Sequence, residues 1–170
     1  LQLNKLSTSD ELTGLYNRRG FLENAHSFIV DDLHRGKKAI IVFADMDNLK
    51  MVNDKFGHKD GDFALKSIAS ILNKSFRRGD VIGRLGGDEF VAFALLDESD
   101  LAKSIQHNID KHSKFLNDTC GKPYYIDISI GISEFVCGTD VIIEDILADA
   151  DAALYSNKKY KRKSVLKNIG

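Results

Sequence analysis

Cysteine, net charge and long apolar runs are all scarce in this chain, and each scarcity removes a class of protein. Only two cysteines are present, Cys120 and Cys137. They form neither a metal-type spacing nor a disulfide framework, which fits a reducing compartment. Lys plus Arg number 24 against 25 Asp plus Glu, for a formal net charge of -1. No global field therefore draws the protein to nucleic acid or to an anionic membrane, and any anion site must be local. No apolar stretch approaches the roughly 20 residues of a membrane span. A signal-peptide pattern, internal repeats and low-complexity segments are also missing. The segment is expected to be cytoplasmic, with no nucleic acid and no membrane among its own partners. It opens on Leu1 rather than on methionine, so it reads as a domain of a longer polypeptide whose upstream part could carry regulation or a membrane anchor.

What is present suits one compact domain: 170 residues, 43% of them hydrophobic, enough to bury on the order of 70% of the unfolded surface. Residues 1–9 read as the last turn of an incoming helix, and 10–170 as the domain. Apolar residues at three- and four-residue steps predict helices over 20–35, 60–76 and 142–159, with a short one over 49–55 and a more polar one over 99–115. The continuous β-branched run Ala39 to Ala44 predicts a buried central strand with Asp45 at its edge. Segments 80–85 and 90–96 flank Gly86-Gly87-Asp88-Glu89 as a β-hairpin, Tyr124 to Phe135 alternates like a half-buried strand, and Ser164 to Leu166 reads as a last short strand. The order predicts an α/β (α+β) sandwich with a mainly antiparallel sheet.

The chemistry gathers at strand ends. Gly86 and Gly87 give the hairpin the positive φ of a tight turn and let another molecule approach without a Cβ in the way. Asp88 and Glu89 are then either solvated turn acids or groups facing a ligand. Asp45 and Asp47 are likewise either helix N-caps or part of the same cluster. Neighbouring strands of one sheet would bring these carboxylates together, and like charges that close repel unless a cation sits between them. Hard oxygen donors in that number suit magnesium or manganese, which bind through a few carboxylates plus substrate phosphates, so a nucleotide substrate is implied.

The run Gly86 to Phe90, together with D-E-L-T-G-L-Y-N-R-R at 10–19, D-M-D-N-L-K-M-V-N-D-K-F-G-H-K-D-G-D at 45–62 and D-A-A-L-Y at 151–155, resembles the GGDEF family of diguanylate cyclases, which condense two GTP into cyclic di-GMP. The likeness extends over residues 10–166. It implies a palm-like nucleotide cyclase fold, a central five-stranded sheet flanked by helices, and catalysis by a homodimer in which two GTP sites face each other. Its metal-binding set falls on Asp45, Met46, Asp88 and Glu89. Glu89 serves there as a further ligand or as the group that helps deprotonate the attacking 3′-hydroxyl, and the division of roles with Asp88 stays open.

The resemblance also assigns substrate-binding roles. Gly86 and Gly87 pass close to the nucleotide, and amides at Met46 to Leu49 cradle phosphates. Asn53 and Asp62 match guanine readers; a carboxylate accepts paired bonds from guanine that adenine cannot offer. Asp62 could equally be an ordinary acid at a helix start. Lys50, Lys158 and Arg162 match phosphate-binding positions, although 158–163 could also be a solvated basic helix end. Arg77 and Asp80 fit the family's R-x-x-D inhibitory product site. Leu49 stands where the family commonly has Phe, and Lys161 where it commonly has Gly. His58 and the cysteines match no ligand role. The competing expectation is a catalytically silent receptor for GTP or cyclic di-GMP.

Overall fold

A computed structural model of the chain describes residues 7–97 and 101–167. In chain order the elements are α1 (Arg18–Val30), β1 (Lys38–Asp47), α2 (Leu49–Phe56), α3 (His58–Ser75), β2 (Val81–Gly86), β3 (Glu89–Leu95), α4 (Leu101–Thr119), β4 (Asp127–Val136) and α5 (Ile143–Lys167). The strands form one sheet in the order β2-β3-β1-β4, every pair antiparallel.

Strand β1 explains the architecture. Its side chains alternate between two layers because successive residues point to opposite faces. Ile40, Val42, Ala44 and Met46 join a core with Ala64, Ile68, Ile71 and Leu72 of α3 and Ile105 and Ile109 of α4. Ala39, Ile41 and Phe43 join a second core with Phe21, Ala25 and Ile29 of α1 and Leu147, Ala150 and Leu154 of α5. A strand covered by helices on both faces needs an unbroken apolar run, which is what 39–44 supplies.

Several sequence expectations shift. The sheet has four strands among the described residues, not five. The expected last strand, Ser164 to Leu166, is instead helical, because no glycine or proline interrupts α5 between Ile143 and Lys167. Strand β4 begins at Asp127 rather than Tyr124. The reason is Asn117 of α4, whose amide donates to the Ile126 carbonyl at 3.0 Å and accepts from the Ile126 N–H at 2.8 Å, so that residue needs no strand partner. Helix α1 stops at Val30, where the Asp31 side chain accepts from the Leu33 N–H at 2.9 Å and turns the chain. Of the proposed incoming helix, residues 1–6 lie outside the described residues, and Ser9 is extended, bridged to Tyr16.

Helix α5 lies unusually close to the sheet. A Cβ on Gly131 of β4 would fall 2.1 Å from the Ala150 carbonyl oxygen and 2.2 Å from the Leu154 nitrogen. Both obstacles are backbone, so only movement of the helix could relieve them. Gly131→Ala should therefore lower the unfolding free energy by roughly 1–3 kcal/mol, as overpacking does. Urea denaturation measures this; a loss below about 0.5 kcal/mol, the range of an ordinary surface change, would show that α5 lifts off β4 freely.

Candidate functional site

The same alternation that buries β1 sets out an acidic cluster at its end. Odd-numbered residues face α1 and α5, so Asp45 and Asp47 continue the side begun by Ile41 and Phe43. Across the sheet Asp45 is paired with Glu89 on β3 and with Ser129 on β4, and Asp47 with Asp127. Directly opposite residues share a face. Glu89, Ser129 and Asp127 thus join the two aspartates, and the hairpin turn adds Asp88.

Helix α5 changes character in step with the strand: Leu147, Ala150 and Leu154 cover its apolar part, and lysines reach its acidic end. Lys158 contacts both oxygens of Asp45, donating to Oδ2 at 2.5 Å, and lies 3.6 Å from Asp47 Oδ1. Lys161 reaches Asp47 Oδ2 and Asp127 Oδ1, each at 3.4 Å, and the Ile128 carbonyl at 3.3 Å. The Ser129 hydroxyl lies 2.8 Å from Asp47 Oδ2 and 3.0 Å from Oδ1, donating to that carboxylate.

Opposing influences meet at Asp45. Burial pushes its carboxyl above the usual range, the Lys158 ammonium pulls it down, and the charges of Asp88 and Asp47 push it up again. Its Oδ1 is buried without an aligned hydrogen bond and is held by ion-pair contact with the Lys158 ammonium. Such an oxygen, with like charges around it, fits a hard cation better than a bare core. Among the described residues, no three His, Cys, Asp or Glu side chains are already gathered as a ready-made metal centre.

The turn itself is Gly87-Asp88, since Gly86 pairs with Glu89. Gly86 has φ +143° and Gly87 φ +51°, and a Cβ on either would meet nothing within 4 Å. Glycine is required there for conformation, and the space beside it is open. Between β1 and α2, Asn48 is left-handed at φ 65° and gives no side-chain cap to the helix. The first amides of α2 are thus left for another acceptor.

The other expected residues fall in two further places. Asn53 of α2 packs against α3 so closely that a Cβ on Gly61 would lie 1.8 Å from its Oδ1; Asp62, next in sequence, is exposed. Lys50 is exposed on the first turn of α2, Met46 is buried, and the Arg162 side chain lies outside the described residues. Arg77 and Asp80 precede β2, at the end of the sheet away from the acids, roughly 20 Å off for a six-residue strand. There the Arg77 N–H donates to Asp80 Oδ2 at 2.8 Å, while its guanidinium pairs with Asp97 and donates to the Leu95 carbonyl at 3.1 Å. A cleft of about 450 Å³ opens around them. Burial pushes the Asp80 carboxyl up, against the Arg77 N–H and charge, with Asp97 adding to the rise.

Sequence reasoning missed Arg84 and Asp10. The Arg84 guanidinium donates to the Gly87 carbonyl and pairs with Asp10 at 3.1 Å. An arginine two residues before a glycine pair was the available signal. It also passed over Ser129 and Asp127, which the strand register would have aligned with Asp45 and Asp47.

Comparison with known proteins agrees with this picture. The family model "Diguanylate cyclase, GGDEF domain" matches residues 7–164. The diguanylate cyclase DgcP of Escherichia coli is 38% identical over 93% of this chain, and the match spans 46% of that protein's length. The chain thus spans less than half of that curated relative. Among solved structures, the diguanylate cyclase SiaD of Pseudomonas aeruginosa, crystallised with its activator SiaC, aligns with a TM-score of 0.79 at 29% identity, covering 91% of this chain and 59% of that one. The GGDEF domain of TpbB (YfiN) from the same organism aligns with a TM-score of 0.78 at 30% identity, covering 89% of each chain.

The Asp10 carboxyl gives a pH test of the opening segment. Burial raises it, but bonds from the Thr13 hydroxyl and N–H and the charge of Arg84 outweigh that and hold it below its ordinary value of 3.8. A depressed native value means that the folded state releases this proton more readily than the unfolded chain, so the stabilisation is full above 3.8 and fades as pH falls through the native value. Asp10→Asn should be less stable than the parent at pH 7, and the gap should close on acidification. Urea midpoints measured from pH 7 to pH 3 decide this; a gap that stays constant would remove the charge from the explanation.

Proposed function

This chain belongs to the diguanylate cyclase GGDEF domain family, and from that premise we propose that it condenses two GTP into cyclic di-GMP and two pyrophosphates, residues 10–170 forming the catalytic unit. The observation that carries the reading is the cross-strand pair Asp45 and Glu89 beside the open Gly87-Asp88 turn, with the Asp45 carboxylate held by the Lys158 ammonium amid like charges.

Asp45, Asp88, Glu89 and the main-chain carbonyl of Met46 would hold magnesium or manganese. The chemistry such an ion supplies when bound is neutralisation of the triphosphate and a lower pKa for the attacking hydroxyl. The chain's own residues do the rest. Uncapped amides after Asn48 donate to phosphate oxygens at a positive helix end. Lys50, Lys158 and Arg162 add positive charge, and Lys158 would exchange its bond to Asp45 for one to phosphate as substrate enters. Asn53 and Asp62 read the guanine edge. Asp88 or Glu89 takes the proton of the 3′-hydroxyl. Each subunit orients one GTP, so two copies must face each other for both hydroxyls to attack. Arg77 and Asp80, in their own cleft, would bind the product and restrain the enzyme.

Incubation with GTP and magnesium followed by chromatography is the direct test. Cyclic di-GMP should form, and Asp45→Ala or Asp88→Ala should each abolish it while circular dichroism shows an unchanged fold, because loss of one ligand forfeits charge stabilisation of several kcal/mol. Binding of GTP without turnover by the parent protein would favour the silent receptor instead.

The product site has its own measurement. Arg77→Ala should remove a charge-assisted pair of roughly 1.5–3 kcal/mol, about ten- to a hundredfold in affinity for cyclic di-GMP. Calorimetric titration of parent and variant reads this, and equal affinities would mean that Arg77 serves only its contacts with Asp97 and Leu95.

A further inference from the structure

The hairpin turn that carries Asp88 is gripped from outside itself. Gly87 offers its main-chain carbonyl to two nitrogens of one guanidinium, Arg84 Nε at 2.9 Å and Nη2 at 2.8 Å. The remaining nitrogen, Nη1, donates to both oxygens of Asp10, at 3.1 and 3.3 Å. Both side chains are largely covered, with relative exposures of 14% for Arg84 and 19% for Asp10. Asp10 is itself fixed by the Thr13 hydroxyl at 2.7 Å and the Thr13 N–H at 3.0 Å. Main-chain bonds lace the same segment to β2, from the Arg84 N–H to the Tyr16 carbonyl at 2.8 Å and from the Tyr16 N–H to the Ile82 carbonyl at 3.2 Å.

Packing does not enforce this geometry. A Cβ on Gly86 or Gly87 would touch nothing within 4 Å, and a cleft of about 680 Å³ opens beside them, lined by Asp10, Arg18, Leu22, Arg84 and Gly86 among others. A glycine turn facing open space has many conformations available. Reaction chemistry tolerates few of them, since a displacement of about 1 Å can cost about a hundredfold in rate. The planar fork of arginine suits the task in a way a lysine ammonium does not: it presents donors on two sides at fixed angles, one pair for the carbonyl and one nitrogen for the carboxylate.

We propose that Arg84 is a positioning residue for the reaction, and that Asp10, through it, makes the opening segment the part of the chain that fixes the catalytic turn. This rests on the cyclase reading given above. The pair does more than add stability: the bond that matters runs to the Gly87 carbonyl, and Asp10 keeps the guanidinium aimed at it.

Arg84→Lys, Asp10→Asn and the exchange Asp10→Arg with Arg84→Asp separate these roles. Arg84→Lys should lower kcat about ten- to a hundredfold with KM for GTP changed less than about threefold, because the fork holds the turn and not the substrate. The amide order parameters of Gly87 and Asp88 should fall from about 0.85 toward 0.6 or below. Asp10→Asn keeps the fork on Gly87 and should show a smaller loss of the same kind in a folded protein. The exchange should recover stability in urea yet leave kcat and the order parameters low, since an aspartate at position 84 cannot donate to a carbonyl. Turnover restored by the exchange, or order parameters unchanged in both single variants, would overturn the proposal. Should the parent protein make no cyclic di-GMP, the cyclase reading fails, and the order parameters still decide whether Arg84 holds the turn.

Discussion

Everything at the acidic end depends on one constraint: β1 is covered on both faces over most of its length and then runs out of cover while its two-residue alternation continues. Ile41 and Phe43 are buried beneath α1 and α5. Asp45 and Asp47 point the same way one and two steps further on, where α5 reaches them with Lys158 and Lys161. A strand cannot change which face a side chain takes without a bulge, and the register of β1 is unbroken with β3 through Asp45 and with β4 through Asp47. The acids are therefore delivered to one face by the fold itself. Burying a carboxylate is unfavourable unless it is paired, and the structure meets that cost only in part, by the Lys158 contact with Asp45.

Much of this was legible in the sequence. The apolar run 39–44 announced a central strand, the Gly-Gly pair a hairpin, and the three- and four-residue spacings most of the helices, because those patterns report directly on burial. The ends were less legible. Where β4 begins depends on Asn117, a side chain of another element that supplies the bonds a strand would have made. The short run near Ser164 suggested a strand, yet the helix before it simply continues, and local propensity could not separate these outcomes over three residues. At the site, the motif acids were visible as a set. Arg84 was not, because its partner Asp10 lies far away in sequence and only the fold brings them together. Register-dependent neighbours such as Ser129 were hidden for the same reason.

The site also shows a separation of charge that composition conceals. With a net charge of only -1, the chain still concentrates Asp45, Asp47, Asp88, Glu89 and Asp127 at one end of the sheet, where the lysine contacts come from Lys158 and Lys161. Arg77, Arg78 and Lys37 line the cleft at the other end with Asp80 and Asp97. Antiparallel pairing makes these ends opposite, since the pairing of β1 with β3 runs from Ala39 beside Leu95 to Asp45 beside Glu89. An acidic end repels bare anions and attracts cations.

Lys161 sharpens that argument. The family commonly has glycine at this position, which would leave Asp47 and Asp127 with less compensation. Here the ammonium spans both carboxylates and the Ile128 carbonyl, tying the end of α5 to β1 and β4 together. Its side chain is nearly half exposed, so each contact is screened and worth little by itself. Its effect is on the balance of the cluster: it adds a second positive charge beside Asp47, which Lys158 also approaches, while Asp45 is paired with Lys158. The oxygen without an aligned hydrogen bond belongs to Asp45. Asp45 thus has a lysine as its counter-charge while the charges of Asp88 and Asp47 press on it, and further positive charge is most favourable there.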